Sequence, residues 1–178
     1  MEKASPSAHV YDSSDPLDGT GDGSGGQGYY MLVGDDHVCG TSDDEYRGLA
    51  VFNATKLACA TNASKTMCIY HYGTVGSGYN YVDLSLLNMS NPGISAADYA
   101  RTATIPVFYR IDVSNWTDVN DAWVCVNVTR EWNAAVSGGY PYMGMRLDPK
   151  WYVNDGNEDA VQISTTGTRA PYVQCGTA

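Results

Sequence analysis

Ile105-Pro-Val-Phe-Tyr-Arg-Ile-Asp-Val113 and Ala122-Trp-Val-Cys-Val-Asn-Val128 alternate between apolar and polar residues with a period of two. In an extended chain successive side chains point to opposite faces. Ile105, Val107, Tyr109, Ile111 and Val113 then share one face, and Val124, Val126 and Val128 another. Half-buried antiparallel strands carry this pattern. On the second stretch Asn127 falls with Trp123 and Cys125 on the face opposite the valines, so a group attached to Asn127 points away from the core.

Seven further β-like runs surround these two, each bounded by Gly, Asn, Asp, Pro or Ser: 29–33, 47–53, 66–72, 79–87, 142–148, 160–164 and 172–175. One segment reads as a helix, Arg130 to Val136, where Val128, Trp132 and Val136 recur at i, i+4 and i+8 before Gly138-Gly139 ends it. Nine strands without βαβ alternation predict an all-β fold, a two-sheet antiparallel sandwich of jelly-roll type with one short helix. Residues 29–178 form that domain, and residues 1–28, ending in Asp18-Gly-Thr-Gly-Asp-Gly-Ser-Gly-Gly-Gln-Gly28, read as a flexible Gly/Asp-rich tail or linker. Within the tail only Ala8-His-Val-Tyr11 is β-like, and it is a candidate strand for donation to a neighbour's sheet edge.

Composition agrees with an all-β surface protein. The 178 residues carry 20 acidic and 10 basic side chains, net −10, with charged residues only 17% of the chain. Tyr numbers 14 against 2 Phe, so most rings carry a hydroxyl and tolerate partial exposure. The acidity is local: residues 1–50 hold 10 acidic and 2 basic side chains, net −8, and residues 51–178 hold 10 and 8, net −2. An acidic chain with scattered Lys and Arg has nothing to neutralise a phosphate backbone, which argues against nucleic acid. No apolar run approaches the roughly 18 residues of a membrane span. Met1-Glu-Lys3 is not followed by an apolar signal core, so a trimmed chain or another export route is expected.

Five sequons, at Asn53, Asn62, Asn88, Asn115 and Asn127, exceed the about 1.7 that 11 Asn and a 28/178 frequency of Ser plus Thr would give at random. They predict an N-glycosylated extracellular or cell-surface protein. In such a compartment Cys39, Cys59, Cys68, Cys125 and Cys175 are disulfide candidates. Five choices of odd thiol times three pairings leave 15 arrangements. Cys59 with Cys68 would close a small loop, and Cys125 with Cys175 would join neighbouring strands. No CxxC pair or His cluster implies zinc.

The order and spacing of several segments resemble the DNRLRE-type domain, a jelly-roll module of secreted and cell-surface proteins also treated as a carbohydrate-binding module family. They are Tyr30-Met-Leu-Val-Gly34, Tyr46-Arg-Gly-Leu-Ala-Val-Phe-Asn53, Trp123-Val-Cys-Val-Asn-Val-Thr-Arg-Glu-Trp132, Ser137-Gly-Gly, Tyr142-Met-Gly-Met-Arg-Leu147 and Ala160 to Val173. The resemblance covers residues 29–175 and is loosest over 54–104. It implies a non-catalytic module that binds polysaccharide or builds a surface structure. The cysteines, the sequons and the loop around Asn91-Pro92-Gly93 depart from the family pattern.

The residues by themselves also carry no catalytic motif. There is no Gly-X-Ser-X-Gly elbow, and Gly21, Gly23 and Gly26 match a dinucleotide fingerprint without the preceding strand it requires. No cofactor is implied beyond a candidate structural calcium at Asp12, Asp15, Asp18 and Asp22, hard oxygens on a Gly-rich backbone. If Gly73-Thr-Val-Gly-Ser-Gly78 joins a hairpin, Tyr70, Tyr72, Tyr79 and Tyr81 form an outward row opposite an apolar face of Met67, Ile69, Val82, Leu84 and Leu86. Such a row can stack on sugar rings or bury itself in a neighbouring subunit. The expected function is a structural or adhesive glycoprotein unit whose partners are copies of itself, with polysaccharide binding as the alternative.

Overall fold

A computed structural model describes residues 1–12, 22–25, 29–36, 44–57, 59–60, 62–76, 81–112, 121–150 and 159–176. Its strands are β1 (Glu2–Lys3), β2 (Ser7–Asp12), β3 (Gly23–Gly25), β4 (Tyr30–Asp36), β5 (Asp44–Asn53), β6 (Lys65–Val75), β7 (Tyr81–Met89), β8 (Ile105–Asp112), β9 (Ala122–Asn127), β10 (Tyr142–Lys150), β11 (Asp159–Ser164) and β12 (Tyr172–Cys175). The one α-helix, α1, spans Thr129–Ser137. Every pairing is antiparallel. The all-β class therefore matches the sequence reading, but the described strands form one hydrogen-bonded sheet, ordered β1-β12-β6-β11-β4-β5-β10-β7-β8, which curls into a half-barrel. β9 joins it along β6, and β2 and β3 join it along β5.

The curl originates at β5. A strand residue has two edges, and β2 pairs with β5 from Glu45 to Ala50. β10 pairs over Gly48 to Asn53 and β4 over Asp44 to Tyr46, so both must occupy the edge opposite β2. The two limbs of the sheet thus diverge from one edge at Arg47 and curve around a shared interior. That interior takes Met31, Val33, Met67, Ile69, Val161 and Ile163 from one limb and Val82, Leu84, Leu86, Met143, Met145 and Leu147 from the other. Gly48 stands in the fork, where a Cβ would lie 2.8 Å from Val33 Cγ2 and 3.3 Å from Met31 Sδ. Helix α1 closes the interior with Trp132, 1% exposed and 6.3 Å from the Phe52 ring, and Ala135. Val136, expected on the same stripe, is 51% exposed, because each i+4 step overshoots a full turn by about 40° and the second step carries the position off the buried face.

The outer face of β5, β10 and β7 is covered by the segment 90–104. At one end Leu49, Val51, Leu87 and Met89 are buried with Ile94 and Ala103. At the other end Arg47, Arg110 and Arg146, each isolated in sequence, stand by Asp83 and Asp148, while Arg101 reaches the Asn88 carbonyl at 2.8 Å. Arg47 lies 2.8 Å from Glu45 and 3.6 Å from Asp148, donates to the Tyr99 carbonyl at 2.8 Å and stacks 4.0 Å from its ring. Burial opposes its charge, but Glu45, Tyr99 and Asp148 outweigh burial and raise its pKa. Arg146 donates to the Arg101 carbonyl at 2.6 Å and forms an ion pair with Asp148 at 2.8 Å. Arg110 grips Asp83 through two hydrogen bonds of 2.6 and 2.9 Å, and Arg101 binds Asp98 at 3.1 Å.

Three expectations change. Much of the stretch read as a tail lies in the sheet: β1 pairs β12, and β2, containing the proposed donor Ala8–Tyr11, pairs this chain's own β5. The hairpin between β6 and β7 does not exist, since β6 pairs β9, β11 and β12 while β7 pairs β8 and β10. The apolar residues of both strands still reach the core, because side-chain parity survives a change of partner. On β8, two extra residues opposite Leu84 to Leu86 interrupt the ladder around Val107, and Val107 and Tyr109, expected on the buried face, are 50% and 44% exposed.

His9, 5% exposed, spans from β2 to β4: its Nδ1 accepts the Leu32 N–H at 3.2 Å and its ring sits edge-on to Tyr46 at 4.8 Å. Burial lowers its pKa from 6.5 to about 4. Below pH 6.5 the unfolded chain binds a proton that the folded chain refuses, so stability falls as pH drops from 6.5 towards 4. The loss from this group reaches about 3 kcal/mol. In His9→Asn the stability from urea unfolding should decline less steeply over that window, and equal slopes would exclude His9 as a source. Gly48→Ala should cost about 1–3 kcal/mol by crowding the fork, measured in the same assay.

Candidate functional site

The outer face of β9, β6 and β12 is a grid set by strand register. Asn127 stands beside Thr66, which stands beside Gln174; next come Cys125, Cys68 and Tyr172; then Trp123 and Tyr70. Parity puts Met67, Ile69, Val124, Val126 and Val173 on the inner side. The alternation of β9 is clear in its burial, with Trp123, Cys125 and Asn127 exposed and Val126 buried.

Rings dominate the far end of this face. Trp123 packs edge-on against both Tyr70 and Tyr172, each at 5.0 Å, and remains 39% exposed. The Arg169 guanidinium lies 4.5 Å from the Tyr70 ring centre and 3.3 Å from Asp121. Burial raises the pKa of the Tyr70 hydroxyl, Arg169 works against that shift, and the hydrogen-bonded Asp121 adds to it. Tyr72, 45% exposed, stacks on Tyr30 at 6.0 Å with planes 15° apart. Open ring surface beside a guanidinium, a carboxylate and amides suits the mixed apolar and hydroxylated faces of a sugar.

The tyrosine row is therefore replaced by a different aromatic set. Tyr70 is only 6% exposed and Tyr72 is exposed on β6, but Tyr81 is on β7 with Arg110 5.5 Å from its ring centre, and Tyr79 lies outside the described residues. Trp123, Tyr172 and Tyr30 were not singled out as binding residues. Trp123 and Cys125 were legible as outward-facing from parity, but their neighbours depend on β6 pairing with β9 across 57 residues of sequence.

The disulfides also correct the expected pairings. Cys68 bonds Cys125, its direct cross-strand partner with Cα atoms 4.1 Å apart, and Cys59 bonds Cys175, 116 residues away. The small loop between Cys59 and Cys68 and the bridge from Cys125 to Cys175 do not form. β12 does border β6, but Cys175 faces inward to the core while Cys125 faces out. Cys39 lies outside the described residues.

Among the sequons, Asn62 and Asn127 are exposed and Asn53 is partly buried. Asn53 Oδ1 accepts both the N–H and the hydroxyl of Thr55, at 3.0 and 2.6 Å, and Asn127 Oδ1 accepts the Thr129 N–H at 2.9 Å. Asn88 is partly buried, with its Oδ1 enclosed and unpartnered. Asn115, Asp15 and Asp18 lie outside the described residues, as does the side chain of Asp12; the Asp22 N–H bonds the Tyr11 carbonyl at 2.8 Å. Among the described residues no three His, Cys, Asp or Glu side chains are grouped to hold a metal ion, and no helix is long and apolar enough to cross a membrane.

A second concavity, of about 370 Å³, runs between α1 and the turn after β5, lined by Thr55, Leu57, Cys59, Trp132 and Val136. No protein-family model matches this chain, and no curated protein is significantly similar to it.

Cross-linking residues 57 apart removes about 4 kcal/mol of loop-closure entropy from the unfolded chain. Cys68→Ser with Cys125→Ser should lower unfolding stability by about 2–4 kcal/mol. Non-reducing peptide mapping should recover Cys59 linked to Cys175 and Cys68 linked to Cys125, and any other pairing would overturn this arrangement.

Proposed function

We propose that this chain is a non-catalytic structural or adhesive glycoprotein unit of an extracellular surface, assembling with copies of itself into a surface structure or fibril. The observation that carries the reading is the pair of disulfides, which pin β12 and β9, two short strands beside β6, to distant parts of the chain. Such bonds persist in oxidising compartments and are rare in reducing ones. The five sequons agree, with Asn62 and Asn127 exposed. The resemblance to the DNRLRE-type jelly-roll module points the same way.

Self-association is supported by β8. Among the described residues it pairs only with β7. Its exposed Val107 and Tyr109 add apolar surface to the strand. Strand edges pair with other chains unless they are covered or charged. Pro106 and Arg110 limit the register of such pairing.

Polysaccharide binding is the second reading, favoured by the exposed rings of Trp123 and Tyr72. It shifts the binding residues from the expected tyrosine row to the β9–β6–β12 face.

Intact mass before and after glycosidase should show glycan on the secreted protein, and negative-stain imaging should show polymers. Monomers that bind an insoluble polysaccharide, and lose it in Trp123→Ala with Tyr72→Ala, would favour the second reading. A chain without glycan that remains monomeric and unretained would end both.

A further inference from the structure

We propose that the outer face of β9, β6 and β12 is the seat of the chain's own N-linked glycan, attached at Asn127. The inference rests on the glycoprotein reading above and assigns a specific occupant to the aromatic face. Asn127 is exposed, and its carboxamide is oriented by the Thr129 N–H on Oδ1 at 2.9 Å. Thr129 is fixed in turn, because its hydroxyl accepts the Lys65 N–H at 2.8 Å. The attachment point is thus held by two strands and the start of α1.

From that point the register lays out a track. Asn127, Cys125 and Trp123 share one face of β9, and two-residue steps of about 6.7 Å place Trp123 about 13 Å from Asn127. The first sugars of a glycan span such a distance. Thr66 and the Cys68–Cys125 bridge form a low floor, without long side chains to block the path. Gln174 and Tyr172 border it on β12. At the far end Trp123 offers open ring surface for the C–H face of a pyranose, and Arg169 and Asp121 offer hydrogen bonds to its hydroxyls.

Tethering favours this occupant over a free polysaccharide. A sugar held on the same face acts at an effective concentration in the millimolar range, with no translational entropy to lose. None of the other described sequons has an exposed aromatic ring on its own strand: the rings of β5, Tyr46 and Phe52, are buried, Tyr81 of β7 is partly buried, and Asn62 lies in a turn.

The test uses the secreted, glycosylated full chain. Glycopeptide mass spectrometry first gives occupancy at each sequon. Glycosidase release from Asn127 is then timed in the native and the denatured protein. A ring contact of about 1.4 kcal/mol predicts release about tenfold slower in the native state. Trp123→Phe, which keeps a ring, should retain most of the protection, and Trp123→Ala should abolish it. Near-UV circular dichroism and intact disulfides establish that each variant is folded. Should Trp123→Ala unfold, the native-to-denatured ratio of the wild type and the Trp123→Phe variant decides the question. Occupancy at Asn127 with equal native and denatured rates would overturn the seat and leave the glycoprotein reading standing. Occupancy at other sequons but not Asn127 would overturn the seat alone, and a chain without glycan at any sequon would overturn both.

Discussion

A strand has only two edges, and β5 is asked to satisfy three partners. β2 occupies one edge, so β4 and β10 must divide the other, and they part at Arg47. Everything else in the molecule follows from that division. The two limbs curve apart, turn their apolar faces towards each other and enclose Met31, Val33, Leu84, Met145 and Ile163 in one core. Gly48 is required at the branch because a side chain there would collide with Val33. Helix α1 then fills the remaining opening with a single large residue, Trp132.

The branch leaves the outer face of β5, β10 and β7 buried as well, by apolar packing around Leu49, Val51, Leu87 and Met89 at one end and by charge at the other. Arg47 and Arg146 both donate to backbone carbonyls of the segment 90–104, and Tyr99, 1% exposed, lies under the Arg47 guanidinium. Asp148 and Glu45 balance the two cations, and Ser85 donates to the second Asp148 oxygen at 2.9 Å. Buried ions are tolerated when they are paired, and here Arg146 Nε and Asp148 Oδ1 rely on their 2.8 Å ion pair, having no hydrogen-bond partner among the described residues. The cluster fastens a long connection to the sheet without needing secondary structure beyond a single 3-10 turn, Ala96–Asp98.

On the opposite limb the disulfides replace what the sheet lacks. Among the described residues β9 pairs only with β6, and β12 is four residues long, so each has little hydrogen bonding of its own. Cys68–Cys125 bolts β9 to β6 at their midpoint, and Cys59–Cys175 bolts the end of β12 to the turn after β5. The same bond that holds β9 also brings Trp123 beside Tyr70 and Tyr172 and sets Asn127 at the head of that face. Stability and surface chemistry are therefore coupled through one pair of strands.

Local periodicity was enough to determine the class and most elements. Alternation placed β4 to β12 within a few residues, the i, i+4 spacing of Val128 and Trp132 placed α1, and parity assigned Met67, Ile69, Val82, Leu84 and Leu86 to the core. These features depend only on which way neighbouring side chains point, a property of the backbone itself. Strand partners are not encoded that way. A Gly-rich connection at 73–78 reads as a hairpin, yet β6 and β7 lie in different limbs, and with that change the tyrosine row dissolves. The disulfide pairs, the placing of Arg47, Arg110 and Arg146 beside Asp83 and Asp148, and the incorporation of β1 and β2 likewise depend on contacts between residues far apart in sequence. Such contacts are decided by the competition among strand edges for partners, and that competition is resolved only when the whole chain folds.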